Sequence, residues 1–288
     1  RGEAFPVIVP RPGARATGIL VHDLTPGDVA RLDFYEGGFD CFTRSLEIGA
    51  RRIPARVYFA DPGRWEPGAP WDLGDWAAAH GAVVLATAAD FMALYGQKPA
   101  AEVIARYRQM LARGASRLRV RPGTNELRRA VDPGDLLIEA RHEPYARFFS
   151  VEEYDLRHRR FSGEMSAPVN RAVFVSGDAA VVLPYDPRRD RVLVVEQFRA
   201  GPLGRGDPNP WLLEAIAGRV DPFETPEQCA RREAQEEARL DLGRLLPVAQ
   251  YYPSSGATTE FLHAYVALTD LPDTAAGLAG VESEAEDI

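Results

Sequence analysis

Residues 218–240, GRVDPFETPEQCARREAQEEARL, constrain the fold of this chain more than any other stretch. Residues 225–228, Thr-Pro-Glu-Gln, have the composition of a capping box with a proline in the first helical turn. We therefore predict a helix that begins at about Pro226 and ends near Ala238. At about 100° per residue, one face of this helix carries three carboxylates: Glu233, Glu236 and Glu237.

These glutamates indicate a cation that the sequence itself does not supply. Like charges three or four residues apart each cost about 0.2–0.5 kcal/mol, and a solvated helix face normally carries opposite charges at those spacings. Mg²⁺ prefers such oxygen ligands, with substrate phosphates completing its shell. The adjoining stripe is small enough for the helix to lie close to a sheet: Ala230, Ala234 and Ala238. The pattern favours a metal site, and the alternative is a salt-bridged surface helix.

Seven residues of the stretch match the Nudix box, G-x5-E-x7-R-E-U-x-E-E-x-G-U, where U is a bulky aliphatic residue: Gly218, Glu224, Arg232, Glu233, Glu236, Glu237 and Leu240. The chain thus resembles the Nudix hydrolases. Arg239 stands at the last glycine of the box, and Ala234 is smaller than the usual aliphatic residue. We expect Arg239 to weaken the left-handed helix cap by about 1 kcal/mol. Neither departure affects an expected metal ligand.

From about residue 135 to 288 the chain resembles the ADP-ribose pyrophosphatase branch of this family, through VEQFR, PWLLEAIAG, PSSGATTE and ESEAEDI. The resemblance implies Mg²⁺ as cofactor, with Mn²⁺ as the alternative. The implied ligands are the Ala217 carbonyl and the carboxylates of Glu233, Glu237 and Glu286. Glu236 supports them, and Glu284 aligns with the base that activates water.

The same resemblance implies residues that bind a nucleoside diphosphate sugar. Arg171 and Arg199 would bind the diphosphate, which suits their planar and permanently charged side chains. Phe148, with Phe149 beside it, would stack on adenine, and this aromatic often comes from the partner subunit of a dimer. The other candidates are Arg219, Ser255, Gly256 and Glu260. From the residues alone, the phenylalanines also fit a core or a strand edge, and Arg199 fits a surface strand end.

The implied reaction is hydrolysis of ADP-ribose to AMP and ribose 5-phosphate by water that a metal activates and Glu284 deprotonates. Ser255 occupies a position where family members acting on ADP-ribose usually carry proline. Other nucleoside diphosphate sugars are therefore an alternative substrate class. A catalytically silent nucleotide-binding regulator is a second alternative.

A second resemblance lies in residues 18–44. Leu32, Asp33, Glu36 and Gly37 match the LDxxEG motif of the γ-glutamylcyclotransferase-like family, in which the glutamate moves a proton. Glu36 is thus a candidate acid or base, and cyclotransferase activity is a further alternative. We expect the N-terminal strand and loop of that domain, and a C-terminal strand and helix of the Nudix domain, to be missing. The two-domain arrangement is similar to bacterial proteins associated with tellurite resistance.

The two resemblances, with a breaker-rich stretch at 121–134, imply a γ-glutamylcyclotransferase-like domain at 1–97, a helical linker at 98–133 and a Nudix domain at 134–288. The expected fold class is α/β (α+β): a Nudix α/β/α sandwich preceded by a smaller α+β barrel domain. Local patterns predict several further elements. These are strands at 4–9, 16–21, 56–59, 136–140, 151–156 and 172–175, a hairpin over 179–198, and helices at 26–35, within 71–95 and at 99–117.

Composition and charge indicate which classes of binding partner to expect. With 34 Lys and Arg against 42 Asp and Glu, the net charge of −8 argues against nucleic acid. The apolar runs are shorter than the roughly 18–20 residues of a spanning helix, so we expect no membrane partner. Cys41 and Cys229 show neither disulfide nor metal spacing, which favours a reducing cytoplasm. The expected partner is a small nucleoside diphosphate sugar, bound by a homodimer.

Overall fold

The computed structural model describes residues 6–11, 13–60, 68–120 and 129–280. The chain divides into two compact units, Arg1–Leu118 and Arg119–Ile288. Both contain helices and strands, so the predicted mixed class is confirmed. The predicted base Glu284 and metal ligand Glu286 lie outside the described residues.

A capped helix and a long hairpin begin the first unit. Helix α1 (Pro26–Tyr35) starts at the capping box expected there, in which Thr25 and Asp28 each accept a hydrogen bond from the other's backbone amide. Strands β1 (Phe39–Ile48) and β2 (Arg51–Ala60) pair antiparallel over ten residues each. Among the described residues of this unit, the strands therefore form one hairpin.

Two strands predicted near the N-terminus are wrong. Residues 6–9 and 16–21 form no strand in the described part of the chain, whereas the strand predicted at 56–59 lies within β2. The Ile19 side chain is 88% exposed, so its apolar surface is not covered by a core. A strand requires a neighbouring strand for its hydrogen bonds, and local alternation cannot show whether one is present.

The helical region predicted within residues 71–95 is confirmed. It consists of α2 (Leu73–Trp76), a π-helical turn (Ala77–Gly81) and α3 (Ala82–Ala93). By length and composition alone, the run Leu73–Ala93 could cross a membrane, contrary to the expectation from short apolar runs. The core helix of a soluble protein passes the same test, and Phe91 of α3 is buried within the unit. This feature is therefore weak evidence for a membrane.

Two helices occupy the region where one amphipathic helix was predicted. They are α4 (Ala100–Ile104) and α5 (Tyr107–Arg119). Val103 of α4 and Met110 of α5 belong to the buried cluster around Phe91. The first half of the predicted linker thus contributes to the core of the first unit.

A three-stranded antiparallel sheet begins the second unit. Its strands are β3 (Leu136–Ala146), β4 (Ser150–His158) and β5 (Val169–Val175), in the order β3-β4-β5. Each contains a strand predicted from the sequence.

Within the described residues, seven further strands of the second unit follow: β6 (Ala179–Asp186), β7 (Arg191–Val192), β8 (Val195–Phe198), β9 (Trp211–Glu214), β10 (Ile216–Arg219), β11 (Arg244–Tyr251) and β12 (Leu262–Leu268). Five of them form a mixed sheet in the order β10-β6-β12-β11, with β7 beside β6. Strand β12 runs parallel to β6, and β8 pairs with β9 in a separate hairpin.

The hairpin predicted over 179–198 is only partly correct. Strand β7 pairs with β6 through Asp186–Arg191 and Tyr185–Val192. The rest of the second apolar run forms β8, which pairs with β9 instead. Its apolar residues suit either partner, so the local pattern could not choose between them.

Helices α6 (Ala200–Arg205) and α7 (Pro226–Ala238) lie in the second unit. Helix α7 packs against β6 and β10. Ala230 and Ala234 of α7 are fully buried there, and Ala238 is partly buried against the same core. The predicted close approach of α7 to a sheet is confirmed.

Candidate active site

Helix α7 presents the candidate catalytic carboxylates, and its ends follow the predicted chemistry. At the N-terminus of α7, Thr225 and Gln228 form the predicted capping box. The Thr225 side chain accepts a hydrogen bond from the Gln228 backbone amide, and the Gln228 side chain accepts one from the Thr225 backbone amide. The helix ends at Ala238, as expected. Arg239 has φ 50° and ψ 35°, so it adopts the left-handed conformation that the box glycine would favour.

Arg232 is the cation that neutralises part of the glutamate face. Its Nη1 donates to Glu233 Oε1 at 2.5 Å and to Glu236 Oε2 at 2.8 Å, and its Nη2 donates to Glu224 Oε1 at 2.7 Å. Arg232 matches the motif, but its role was not predictable from the sequence. One guanidinium serves three carboxylates here, so negative charge remains at this face.

The Glu233 carboxylate lies where a side chain on Gly218 would otherwise stand. A Cβ on Gly218 would be 1.8 Å from Glu233 Oε1 and 2.0 Å from its Cδ. Burial raises the pKa of Glu233 to about 7, while Arg232 acts to lower that pKa and Glu237 acts to raise it. Burial therefore destabilises the ionised form of Glu233.

Glu237 of α7 is buried against strands β8 and β10, with 3% of its surface exposed. Gln197 Nε2, on β8, donates to its Oε1 at 2.9 Å, and the Ala217 amide, on β10, donates to its Oε2 at 3.3 Å. Gln197 was not predicted as a site residue. In β8, Val195 and Gln197 are buried and Glu196 and Phe198 are exposed, so the one available signal was a polar residue in the inward alternation of a short apolar strand.

These residues fit a divalent metal. Glu237 is a buried carboxylate and Glu233 a partly buried one. Burial raises the pKa of Glu233, and a bound cation would stabilise its ionised form. Hard oxygen donors of this kind suit Mg²⁺ or Mn²⁺. Within the described residues, no three acidic, histidine or cysteine side chains already converge as a metal cluster. Arg232 occupies part of the carboxylate face instead.

A second group of contacting side chains, the aromatic cluster, consists of Phe148, Phe149 and Arg219. The rings of Phe148 and Phe149 have centroids 4.7 Å apart, and the guanidinium carbon of Arg219 lies 5.3 Å and 5.7 Å from them. Burial lowers the pKa of Arg219, and Glu260 acts to raise it. Burial likewise raises the pKa of Glu260, and Arg219 acts to lower it. The structure therefore brings four predicted substrate residues together.

The loop that carries Ser255 and Gly256 adjoins strand β5. The Phe174 amide donates to the Ala257 carbonyl at 2.8 Å, and the Thr259 amide donates to the Phe174 carbonyl at 3.0 Å. The Phe174 ring lies 4.7 Å from that of Phe149. The loop is thereby anchored near the aromatic cluster.

The two arginines expected to bind diphosphate have local partners. Arg171 is exposed on β5, and its Nη1 donates to the Asn170 carbonyl at 2.9 Å. Arg199 follows β8, and its Nε donates to Glu214 Oε2 at 2.7 Å. Neither makes a described contact with the aromatic cluster. Their assignment to substrate remains a prediction.

In the first unit, Glu36 closes helix α1 and is partly buried. Burial raises its pKa. The neighbouring motif residue Asp33 accepts hydrogen bonds from Arg56 Nη2 and Tyr58 Oη, both at 2.6 Å. Gly37 allows close packing, since a Cβ there would be 2.8 Å from the Cβ of Ala100.

Comparisons with known proteins agree with both resemblances. The family profile described as NUDIX domain matches residues 175–287. The profile described as gamma-glutamyl cyclotransferase, AIG2-like, matches residues 1–78.

Two relatives are named ADP-ribose pyrophosphatase. The protein of Escherichia coli (strain K12) is 44% identical over 154 residues, which are 54% of this chain and 73% of that protein. The protein of Haemophilus influenzae is 35% identical over 156 residues, 54% of this chain and 71% of that protein. A third relative, the GDP-mannose pyrophosphatase of Salmonella paratyphi A, is 36% identical over 131 residues, 46% of this chain and 66% of that protein.

Proposed function

This chain belongs to the Nudix hydrolase family, and from that premise we propose that its second unit hydrolyses ADP-ribose to AMP and ribose 5-phosphate with a divalent metal. The observation that carries the proposal is the pair of carboxylates on α7, the partly buried Glu233 and the buried Glu237, beside a glycine that leaves room for Glu233. The relatives named ADP-ribose pyrophosphatase support the choice of substrate.

The proposed roles follow from charge. Mg²⁺ or Mn²⁺, bound by Glu233, Glu237 and the Ala217 carbonyl, would neutralise the diphosphate and lower the pKa of a water molecule. We propose that Glu284 accepts the proton of the attacking water and that Glu286 is a further ligand of the metal. The water oxygen bonds to phosphorus, the bridging P–O bond breaks, and the bridging oxygen leaves with the other phosphate.

The aromatic cluster is the proposed site for the base. Phe148 presents an exposed ring with Phe149 against its edge, and Arg219 lies within cation–π distance of both. A π-face of this kind suits stacking with a nucleobase. Arg171 and Arg199 are the proposed diphosphate ligands, because a guanidinium binds phosphate through two parallel hydrogen bonds.

A metal-dependent assay tests the proposal. The protein is incubated with ADP-ribose, with and without Mg²⁺, and AMP is followed by chromatography. AMP should form only with metal, and Glu237→Gln should abolish it. Glu227→Gln is the matched control, since Glu227 lies on the same helix and is exposed. Absence of metal-dependent AMP from the parent protein would refute the proposal.

A nucleotide-sugar panel tests the alternative substrates. Ser255 replaces the expected proline, and one relative is named GDP-mannose pyrophosphatase. The panel therefore includes GDP-mannose beside ADP-ribose. A higher kcat/KM for GDP-mannose would reassign the substrate and leave the metal chemistry in place.

We also propose that the chain forms a homodimer through strand β3. Leu136, Leu137 and Ile138 are each about half exposed, although they are consecutive apolar residues. Such patches are typical of surfaces that another chain covers. In sedimentation analysis, Leu137→Glu should shift the protein to monomer, whereas Val248→Glu, on another exposed apolar residue, should not. A monomeric parent protein would exclude the dimer.

A second activity is proposed for the first unit, release of 5-oxoproline from γ-glutamyl compounds. The α-amine would attack the γ-carbonyl, the γ-amide C–N bond would break, and Glu36 would move the proton from the attacking amine to the amine that leaves. The raised pKa of Glu36 favours this role, because a partly buried carboxyl retains its proton nearer neutral pH. Release of 5-oxoproline by the parent protein and its loss in Glu36→Gln would support the assignment. No release from the parent would exclude it under those conditions.

A further inference from the structure

Gln197 connects strand β8 to helix α7 through a hydrogen bond to Glu237. On β8, Val195 and Gln197 are buried while Glu196 and Phe198 are exposed, so the amide occupies a position that alternation would assign to an apolar side chain. Its Nε2 donates to Glu237 Oε1 at 2.9 Å within the buried interior. A buried amide in such a place requires polar partners, and Glu237 supplies one.

The two acids of the proposed metal pair have different hydrogen-bond partners. Glu233 bonds to the guanidinium of Arg232. Glu237 accepts from the Gln197 amide at one carboxylate oxygen and from the backbone amide of Ala217 at the other. These two donors come from different strands, so together they fix the direction of the Glu237 carboxylate.

From this geometry we infer that Gln197 is a positioning residue for the divalent metal site, acting through Glu237. The inference rests on the proposed role of Glu237 as a metal ligand. Groups that orient a metal ligand from behind typically change metal affinity by about 10- to 100-fold when they are removed. We expect an effect of that size on metal binding, with little effect on turnover once the site is saturated.

The experiment measures binding of Mn²⁺ alone, without substrate, by electron paramagnetic resonance titration. Gln197→Met preserves side-chain length and removes the donor, so its Kd for Mn²⁺ should rise about 10- to 100-fold. Gln250→Met is the matched control, because Gln250 is exposed on β11. In the hydrolysis assay, the Mg²⁺ concentration for half-maximal rate should rise similarly, while kcat at saturating Mg²⁺ stays within about twofold.

A double-mutant cycle separates positioning from general support of the fold. If Gln197 acts through Glu237, Gln197→Met should have no further effect on the Mn²⁺ affinity of Glu237→Gln. Should Gln197→Met fail to fold, Gln197→Asn decides by the same titration, because its amide is one methylene too short to reach Glu237 unchanged.

The outcomes are distinct. Unchanged Mn²⁺ affinity in the folded variant, or a loss of kcat that excess Mg²⁺ does not restore, would overturn the inference and leave the proposed function intact. A parent protein that neither binds Mn²⁺ nor hydrolyses ADP-ribose would instead refute the proposed function itself.

Discussion

The carboxylate of Glu233 occupies the volume where a Cβ on Gly218 would stand. The built Cβ would be 1.8 Å from Oε1, 2.0 Å from Cδ and 2.5 Å from Cγ. Real carbon atoms do not approach so closely, so any larger residue at 218 must displace Glu233 from its bond with Arg232. The glycine at position 218 therefore leaves the space in which the Glu233 side chain of α7 lies.

Gly218→Ala should consequently reduce ADP-ribose hydrolysis by at least about 100-fold, because misplacing a catalytic group by about 1 Å has that effect. Gly201→Ala is the control, since a Cβ at Gly201 meets nothing within 4 Å. Steady-state kinetics at saturating Mg²⁺ measures the effect. Parent-like kcat in Gly218→Ala would show that Glu233 does not need its present position.

Arg239→Gly should stabilise the protein. Arg239 has φ 50°, a conformation that costs a non-glycine residue about 1 kcal/mol and glycine almost nothing. We expect the free energy of unfolding to rise by about 0.5–1 kcal/mol, since the lost charge at the helix C-terminus offsets part of the gain. Urea denaturation measures it.

Arg239→Ala separates the backbone from the charge. Alanine removes the same guanidinium but retains a Cβ, so this variant should show no gain. Equal stabilisation by alanine and glycine would assign the effect to the arginine side chain and not to the backbone.

The bounds of α7 were predictable because they depend on neighbours in sequence. The Thr225–Gln228 capping box and the helical spacing of the glutamates are both contained within residues 218–240. The left-handed conformation of Arg239 was predictable for the same reason. Where the physical cause of a structure lies within a few neighbouring residues, the sequence pattern was sufficient to predict it.

Contacts between distant residues were not predictable in this way. Gln197 and Glu237 are 40 residues apart, and the choice of β9 over β6 as the partner of β8 depends on how the chain packs. The two strands predicted near the N-terminus were wrong for a related reason, because alternation does not show whether a pairing strand exists. The predicted roles of the acidic C-terminal residues concern positions outside the described part of the chain.

In metal-free protein, the contribution of Glu233 to stability should fall as the pH rises from about 4.5 to about 7. Burial raises the pKa of Glu233 from 4.5 to about 7, so the folded state binds its proton more tightly than the unfolded state. That stabilisation is complete below pH 4.5 and is lost as the pH passes 7. In EDTA, Glu233→Gln should therefore exceed the parent in stability by a margin that grows towards pH 8, to about 1–3 kcal/mol.

Two comparisons isolate this effect. Glu164→Gln, which removes a carboxylate from an exposed position, is the control for the loss of one acidic group. Mg²⁺ should stabilise the parent protein but not Glu233→Gln, because binding to the folded state raises stability. A margin for Glu233→Gln that stays constant from pH 4.5 to 8 would contradict the raised pKa.

Phe148→Ala should weaken substrate binding without harming the fold. The ring is 65% exposed, so its removal uncovers little core. Stacking of a base on an aromatic ring contributes about 1–3 kcal/mol, which predicts a KM for ADP-ribose about 10- to 100-fold higher. Phe148→Tyr retains the π-face and should stay near the parent, and Phe161→Ala removes an exposed ring elsewhere, at 96% exposure. Because the chemistry lies at α7, kcat should change little. An unchanged KM in Phe148→Ala would move the base-binding site away from the aromatic cluster, and a fall in kcat alone would give Phe148 a role in catalysis instead of binding.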